Sequence, residues 1–358
     1  MKIRQLCTRI EFGDAVSNHV LAIDRALQSM GYETGLFAWT TDRFGSQLAQ
    51  PWTEYQSQMD SPEDLLIYHY SLYCPTYRQY LASANRRILI YHNITPPEFF
   101  APYDRGVAEF CRLGRELLPE LKGCELALGD SEFNRQELVN AGFEAERTGV
   151  LPIFVDYQGL KSRAAARGPM SGFEGFKVLF VGRAVPNKRV EDLLRAFLYY
   201  NRAINSNSHL FVVGAPWVKA YSAQLQWLVD SYRLWDSVHF CGRVGDPELA
   251  ACYRDADVYL SMSEHEGFAV PLVESMAFDL PVMAYSSTAV PYTLDVAGIT
   301  FTAKDFPRVG ELLELLRTDR ALRESLLESQ RKRLSAFSPE ACRSALREAL
   351  KRVLGENP

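Results

Sequence analysis

Two carboxylates, Glu266 and Glu274, stand eight positions apart in SEHEGFAVPLVESMA, the segment from Ser263 to Ala277. The apolar run VYLSMS before them has the composition of a short strand. Gly267 loosens the backbone after it, and Pro271 suits the first turn of a helix, where a missing N–H costs nothing. The backbone N–H groups of Gly267, Phe268, Ala269 and Val270 would then face an anion, aided by the positive end of the helix dipole. Two acids beside an anion hole cannot both be there to hold phosphate. They are suited to accept hydrogen bonds from hydroxyls, as on a sugar or a ribose. A phosphate flanked by two hydroxyl-rich rings is a nucleotide sugar. On spacing alone, an ordinary surface helix with a solvated Glu in its first turn gives the same pattern.

A second constellation lies upstream. VLFVGRAVPNKRVEDLL puts Arg183 and Lys188 five positions apart in the loop after a strand, and open parallel sheets bind ligands at the carboxyl ends of their strands. A diphosphate carries roughly −3, and two cations in a partly desolvated cleft stabilise it by several kcal/mol at an effective dielectric near 20. The plainer reading is a solvated charged loop, with Arg189 also present. In the first half, EFGDAVSNHV places Gly13 between the first strand and the first helix, without a GxGxxG fingerprint or a Walker loop. His92 ends the apolar run ILIYHNITPP and precedes two prolines, so it lines a cleft between domains or serves as a structural residue. His69 in IYHYS also ends a strand, and His265 lies between the glutamates, facing ligand or solvent. Asp255 and Asp257 in YRDADVYL cap a buried strand, with Mg²⁺ binding as the other reading.

These residues need strands to present them. Short β-rich runs alternate with helical patterns throughout: KIRQLC, ETGLFAW, DLLIYHY, RRILIYHNI, CELALGDS and RTGVLPI in the first half, then FKVLFVG, HLFVVG, SVHFCG, ADVYLSMS, LPVMAYS and ITFTA. HVLAIDRALQSMG, VEDLLRAFLYYNRAI and the stretch around AYSAQLQWLVDSYRL read as helices between them. Such alternation predicts parallel sheets covered on both faces, and two in succession make two doubly wound domains, 1–160 and 176–337. The stretch 156–175, rich in Gly and small residues, reads as the linker. Ser338 as N-cap and Pro339 at the first position begin a final helix over about 338–358, placed to pack back on the first domain.

Composition bounds the function. The chain has 358 residues, 47% of them hydrophobic, enough for two cores. No apolar run reaches a membrane span, and MKIRQLCTRIEFGD lacks the apolar centre of a signal peptide, so a cytoplasmic location is expected, with at most peripheral contact at the inner membrane face. Seven scattered cysteines without a CxxC pair read as reduced thiols. Residues 1–160 hold 14 Lys and Arg against 21 Asp and Glu, a net −7, and the remainder 25 against 23, a net +2. That balance argues against a nucleic-acid partner and mildly favours a small anionic ligand in the second domain.

Taken together, these stretches resemble the retaining family 4 glycosyltransferases of the GT-B fold. The resemblance runs in order over about 176–301, through VGRAVPNKRVEDLL, GRVGDPELAACYRDADVYLSMSEHEGFAVPLVESMA and DLPVMAYSSTAVP. It is thinner in the first half, on FGDAVSNHV, LIYHYS, IYHNITPPEFF and LGDSEFNRQEL. It implies an α/β protein of two Rossmann-like domains, the first on the acceptor side and the second binding the nucleotide sugar. The E-x7-E motif matches Glu266, which would contact the transferred sugar, and Glu274, which would meet the ribose. Arg183 and Lys188 would hold the diphosphate, His92 would lie beside the donor sugar, backbone at Arg243 and Val244 would meet the base, and Gly13 would lie near the phosphates and acceptor. Ala269 stands where many members have Gly, which demands an ordinary φ there. Tyr292 replaces a Glu, and Asp295-Val296 replaces small residues.

The implied activity is transfer of a hexose from a GDP-mannose-like or UDP-hexose donor to a saccharide or lipid-linked saccharide acceptor, with retention, in polysaccharide or glycolipid assembly. Neither metal nor cofactor is expected, because the leaving phosphate takes the acceptor proton. Inversion would instead need a base such as Asp14, His69 or His92. A nucleotide-sugar epimerase and a non-catalytic sugar-nucleotide-binding subunit are the alternatives.

Overall fold

A computed structural model describes residues 1–57 and 61–355. The chain divides into two compact units. The first comprises Met1–Pro97, Gly106–Val155 and residues 336–355, and the second Glu98–Arg105 and Asp156–Ser335.

Seven parallel strands form the sheet of the first unit: β1 (Lys2–Ile10), β2 (Glu33–Thr41), β3 (Gln50–Pro51), β4 (Leu65–Tyr70), β5 (Arg86–Tyr91), β6 (Leu126–Gly129) and β7 (Thr148–Val150). Their order is β3-β2-β1-β4-β5-β6-β7. The chain runs outward from β1 to β2 and then returns to place β4 on the other side, so the direction of winding changes between β1 and β4. All six residues of β4 are buried. This explains why LLIYHY reads as a continuous apolar run: both faces are covered by helices.

The second unit repeats the plan with β8 (Phe176–Val181), β9 (Ser208–Val213), β10 (Val238–Gly242), β11 (Val258–Ser261), β12 (Val282–Tyr285) and β13 (Ile299–Phe301). The order is β10-β9-β8-β11-β12-β13, again parallel, with the change of direction between β8 and β11. Val258 pairs with Val178 and Tyr259 with Leu179. The loops that follow these two central strands therefore emerge side by side.

The stretch 156–175 carries a helix, Tyr157–Ser162, capped by the Asp156 carboxylate, which accepts from the Gly159 N–H. It belongs to the second unit, bound there by Lys161 to the Ala277 carbonyl and by Arg163 to Asp246. Its loop-like composition conceals this, because a six-residue helix shows no sustained period.

The helix Pro339–Leu354 lies in the first unit. Ser338 caps it, accepting from the Ala341 N–H at 3.2 Å, with Pro339 in the first turn. Leu346, Ala349 and Leu350 recur at helical spacing and join one core with Ile88, Ile90, Leu126 and Leu128. Residues 356–358, at the end of the expected helix, lie outside the described residues. Among the described residues no helix is long and apolar enough to cross a membrane. Leu350 is fully buried, so Leu350→Ala should lower the unfolding free energy by about 2–5 kcal/mol. A denaturation midpoint equal to wild type would show that the helix does not share the core.

Candidate active site

In the second unit the two loops after β8 and β11 meet through charge. Lys188, in the turn Pro186–Lys188, places its Nζ 2.5 Å from Glu266 Oε2, both side chains being mostly buried. Around this pair the loops are fastened by backbone bonds. The Glu264 N–H donates to the Asn187 carbonyl at 2.9 Å, and Asn187 Nδ2 donates to the His265 carbonyl at 3.0 Å. From the other side the Glu266 N–H donates to Thr288 Oγ1 at 2.8 Å. His265 is buried and its ring lies against Phe99.

A second ionic cluster supports the same loop. Arg189 Nε lies 2.6 Å from one oxygen of Glu264, and Lys304 Nζ lies 2.7 Å from the other and 2.7 Å from Asp192. Burial pushes the Glu264 carboxyl up, but its bonds to Lys304 and Arg189 outweigh this and hold it below the ordinary carboxylate range. Sequence reasoning missed Glu264 and Lys304. The available signal was positional, since Lys304 follows β13 as Arg183 follows β8.

Arg183 is exposed, with its guanidinium 5.2 Å from the centre of the Trp217 ring. Arg243 and Val244 follow β10, one exposed and the other half-buried. Glu274 lies in the helix Val270–Ala277 with Pro271 in its first turn, and it accepts from the Tyr253 hydroxyl at 2.6 Å. Burial is the main cause that raises its pKa to about 7, opposed by the Tyr253 bond. Tyr259, on β11, has its hydroxyl pKa raised by burial first and then by the charges of Glu266 and Glu274, so it lies within reach of both. Asp257 accepts from the Lys177 N–H and Asp255 pairs with Arg254, which accounts for the DAD sequence.

One expectation is corrected. Ala269 does not hold an ordinary φ. It lies at φ 69°, ψ 65° as the N-cap of the Glu274 helix. The segment is held on both sides: Thr293 Oγ1 donates to the Phe268 carbonyl at 2.5 Å, and the Leu272 N–H donates to the Ala269 carbonyl at 3.0 Å. The chain must turn between these anchors, and the left-handed conformation provides the turn despite the Cβ.

In the first unit the named residues also cluster at strand ends. Gly13 is exposed at φ 65° in the turn after β1, a conformation that suits Gly. Asp14 caps the helix Ala15–Ser29 by accepting from the Ser17 N–H at 3.0 Å. His92 is buried. Its Nδ1 lies 2.9 Å from Asp130 and its Nε2 2.9 Å from His69 Nδ1, while His69 Nε2 lies 2.8 Å from Gln5 Oε1. Burial pushes the His69 and His19 pKa values well down and that of Asp130 up. Asp130 had been passed over in LALGDSEFN, although it directly follows β6.

Residues 172–333 match the family model of glycosyl transferases group 1. Over this stretch, which falls within the second unit, the chain is similar to the group 1 glycosyltransferases. It is 24% identical over 284 residues to the O-antigen chain mannosyltransferase B of Escherichia coli, covering 72% of each chain. Over 116 residues it is 34% identical to mannosylfructose-phosphate synthase of Agrobacterium fabrum, covering 31% of this chain and 26% of that relative. Among solved structures it resembles the Anabaena protein HepE in complex with UDP and glucose, with TM-score 0.78, 16% identity and 98% and 99% of the two chains covered. It also resembles sucrose-phosphate synthase from Thermosynechococcus elongatus, with TM-score 0.77, 16% identity and both chains fully covered. The chain thus has the GT-B fold.

The Ala269 turn is open to test. Ala269→Gly removes the left-handed penalty of about 1–2 kcal/mol while adding some unfolded-state entropy, so a net gain in stability of about 0.5–1 kcal/mol is expected by denaturant titration. A loss of stability would mean that the Ala269 methyl packs against more than its strained backbone costs.

Proposed function

We propose that this glycosyltransferase moves a hexose from a nucleoside diphosphate sugar to a saccharide or lipid-linked saccharide acceptor, with retention of anomeric configuration. The observation that carries this reading is the Lys188–Glu266 pair in the loops after the two central strands of the second unit, with Glu266 and Glu274 both acting on Tyr259 of β11. Lys188 and Arg183 suit a diphosphate, while Glu266 and Glu274 suit hydroxyls of the sugar and the ribose. Backbone at Arg243 and Val244 is assigned to the base, and Gly267, Phe268, Ala269 and Val270 to the phosphate end of the donor. The name of the E. coli relative, a mannosyltransferase of an O-antigen chain, supports polysaccharide assembly and a GDP-mannose-like donor. The HepE complex with UDP and glucose keeps a UDP-hexose in view.

In this mechanism the acceptor hydroxyl attacks the anomeric carbon from the face the diphosphate leaves. The bond from that carbon to the phosphate oxygen breaks, the new glycosidic bond forms, and the acceptor proton passes to the departing phosphate oxygen. Lys188 and Arg183 stabilise the charge that grows there, the task a metal performs elsewhere. The acid–base candidates of the first unit are already engaged, since Asp14 caps a helix and both ring nitrogens of His92 are bonded. That supports the leaving phosphate as the base.

Proton NMR of the product formed in EDTA tests this reading. An α-linked donor is expected to yield an α-linked product at a rate unaffected by the chelator. A β coupling would overturn the retaining mechanism, and loss of turnover restored by Mg²⁺ or Mn²⁺ would overturn the metal-free one.

A further inference from the structure

The polar residues buried at the strand ends of the first unit obey a proton count. Gln5 on β1, His69 on β4, His92 after β5 and Asp130 after β6 form one line of three hydrogen bonds, at 2.8, 2.9 and 2.9 Å. All four are buried. Gln5 presents its oxygen to His69, because its amide nitrogen faces the acceptor-only carboxylate of Asp24 at 3.5 Å, which also accepts from Gln28. One end of the line is therefore an acceptor, and an ionised Asp130 makes the other end one too. Three bonds between such ends need three protons, and two neutral imidazoles supply two. The line must hold one proton more.

The extra proton has few places to rest. The His69 ring is kept neutral, with its pKa pushed well down by burial and then by His92 and His19. With Nε2–H given to Gln5, its Nδ1 is a lone pair, so His92 donates Nε2–H to it. The third proton then lies between His92 Nδ1 and Asp130, as imidazolium against carboxylate or as imidazole against carboxylic acid. Either way the line is neutral overall. Losing that proton would leave a buried negative charge, and gaining another would leave a positive one.

The surroundings offer no relief. His19, from the helix Ala15–Ser29, has its ring 5.6 Å from that of His92 at 86°. Its Nδ1 accepts from the Phe154 N–H at 3.0 Å, and burial holds its pKa well down, so it stays neutral with the proton on Nε2. Cys7, opposite His69 in the β1–β4 register, is a buried thiol whose pKa is pushed far up. Asp24, beyond Gln5, is the charged group on that side.

We infer that Gln5, His69 and Asp130 are positioning residues of the transferase, which with His92 form one directional, net-neutral string that holds a single shared proton and fixes the ends of β4, β5 and β6 against one another. His92 is then a fixed post rather than an acid or base, since neither nitrogen is free to exchange a proton with substrate. The inference rests on the transferase reading for its consequence in turnover, but the proton count stands on the string alone.

Nitrogen NMR of the full-length protein reads the string directly. Both Nε2 atoms of His69 and His92 should carry protons and His69 Nδ1 should not, the His69 pattern staying unchanged between about pH 5.5 and 8.5, where an ordinary histidine titrates. A protonated His69 Nδ1 with bare Nε2, or titration of the His69 ring in that range, would overturn the string. In activity assays Asp130→Leu should lower kcat roughly tenfold or more, a typical cost of misplaced active-site backbone, with nucleoside diphosphate affinity unchanged. Asp130→Asn, whose amide can donate to His92 Nδ1, should restore kcat to within about threefold of wild type. Full turnover in a folded Asp130→Leu would remove the positioning role, and failure of Asp130→Asn to rescue would assign the proton itself to the chemistry. Failure of the retaining reading would show in the product stereochemistry and leave the nitrogen spectrum unchanged.

Discussion

The Lys188–Glu266 ion pair is the constraint around which the second unit is organised. It joins the loops that follow β8 and β11, the two strands between which the direction of winding reverses. Parallel pairing of Tyr259 with Leu179 brings these loops out together, and an open parallel sheet leaves its ligand space at such a point. Opposite charges 2.5 Å apart in partly buried surroundings attract strongly. They also neutralise each other, so the site waits in a balanced state. A diphosphate, with roughly three negative charges, draws Lys188 more strongly than one carboxylate at equal distance. In the proposed reaction Glu266 would thereby be released for a hydroxyl.

The exchange requires that Glu266 stay in place when it loses its partner. Arg189 and Lys304 grip the neighbouring Glu264, and Asn187 and Thr288 hold the backbone on either side. Lys304 is tied in turn to Asp192 in the first turn of the helix Val190–Tyr199. The network separates two tasks: Glu264 takes the permanent ionic anchors, while Glu266 has one partner that a ligand can replace. The buried string of the first unit shows the same economy, since its neutrality depends on a proton rather than on access to solvent.

Much of this was legible in the residues. Central parallel strands, covered on both faces, stand out as unbroken apolar runs such as LLIYHY and KVLFV, and the candidate residues follow them directly. What stayed hidden depends on proximity in space. Lys304 lies 40 positions from Glu264, and Asp130 lies 38 from His92. Nothing local in either segment announces the partner. The helix Arg105–Leu117 was passed over although its buried Ala108, Cys111 and Gly114 recur at helical spacing opposite its charged residues. Ala269 misled for a different reason. Its residue type disfavours a left-handed turn, and the anchors that impose the turn lie on Thr293 and Leu272. His92 reads from sequence as lining a cleft or as a structural residue, and the partners of its ring nitrogens, Asp130 and His69, show only in space.

Calorimetric titration of UDP and GDP, using whichever binds wild type more tightly, measures the exchange at Lys188 most directly. Lys188→Ala should weaken the nucleoside diphosphate about tenfold or more, as expected for loss of a charged hydrogen bond. Glu266→Gln should bind it at least as tightly as wild type, because the ligand no longer has to displace a carboxylate from Lys188. Equal weakening in both variants, or no weakening in Lys188→Ala, would contradict the view that the diphosphate takes the place of Glu266.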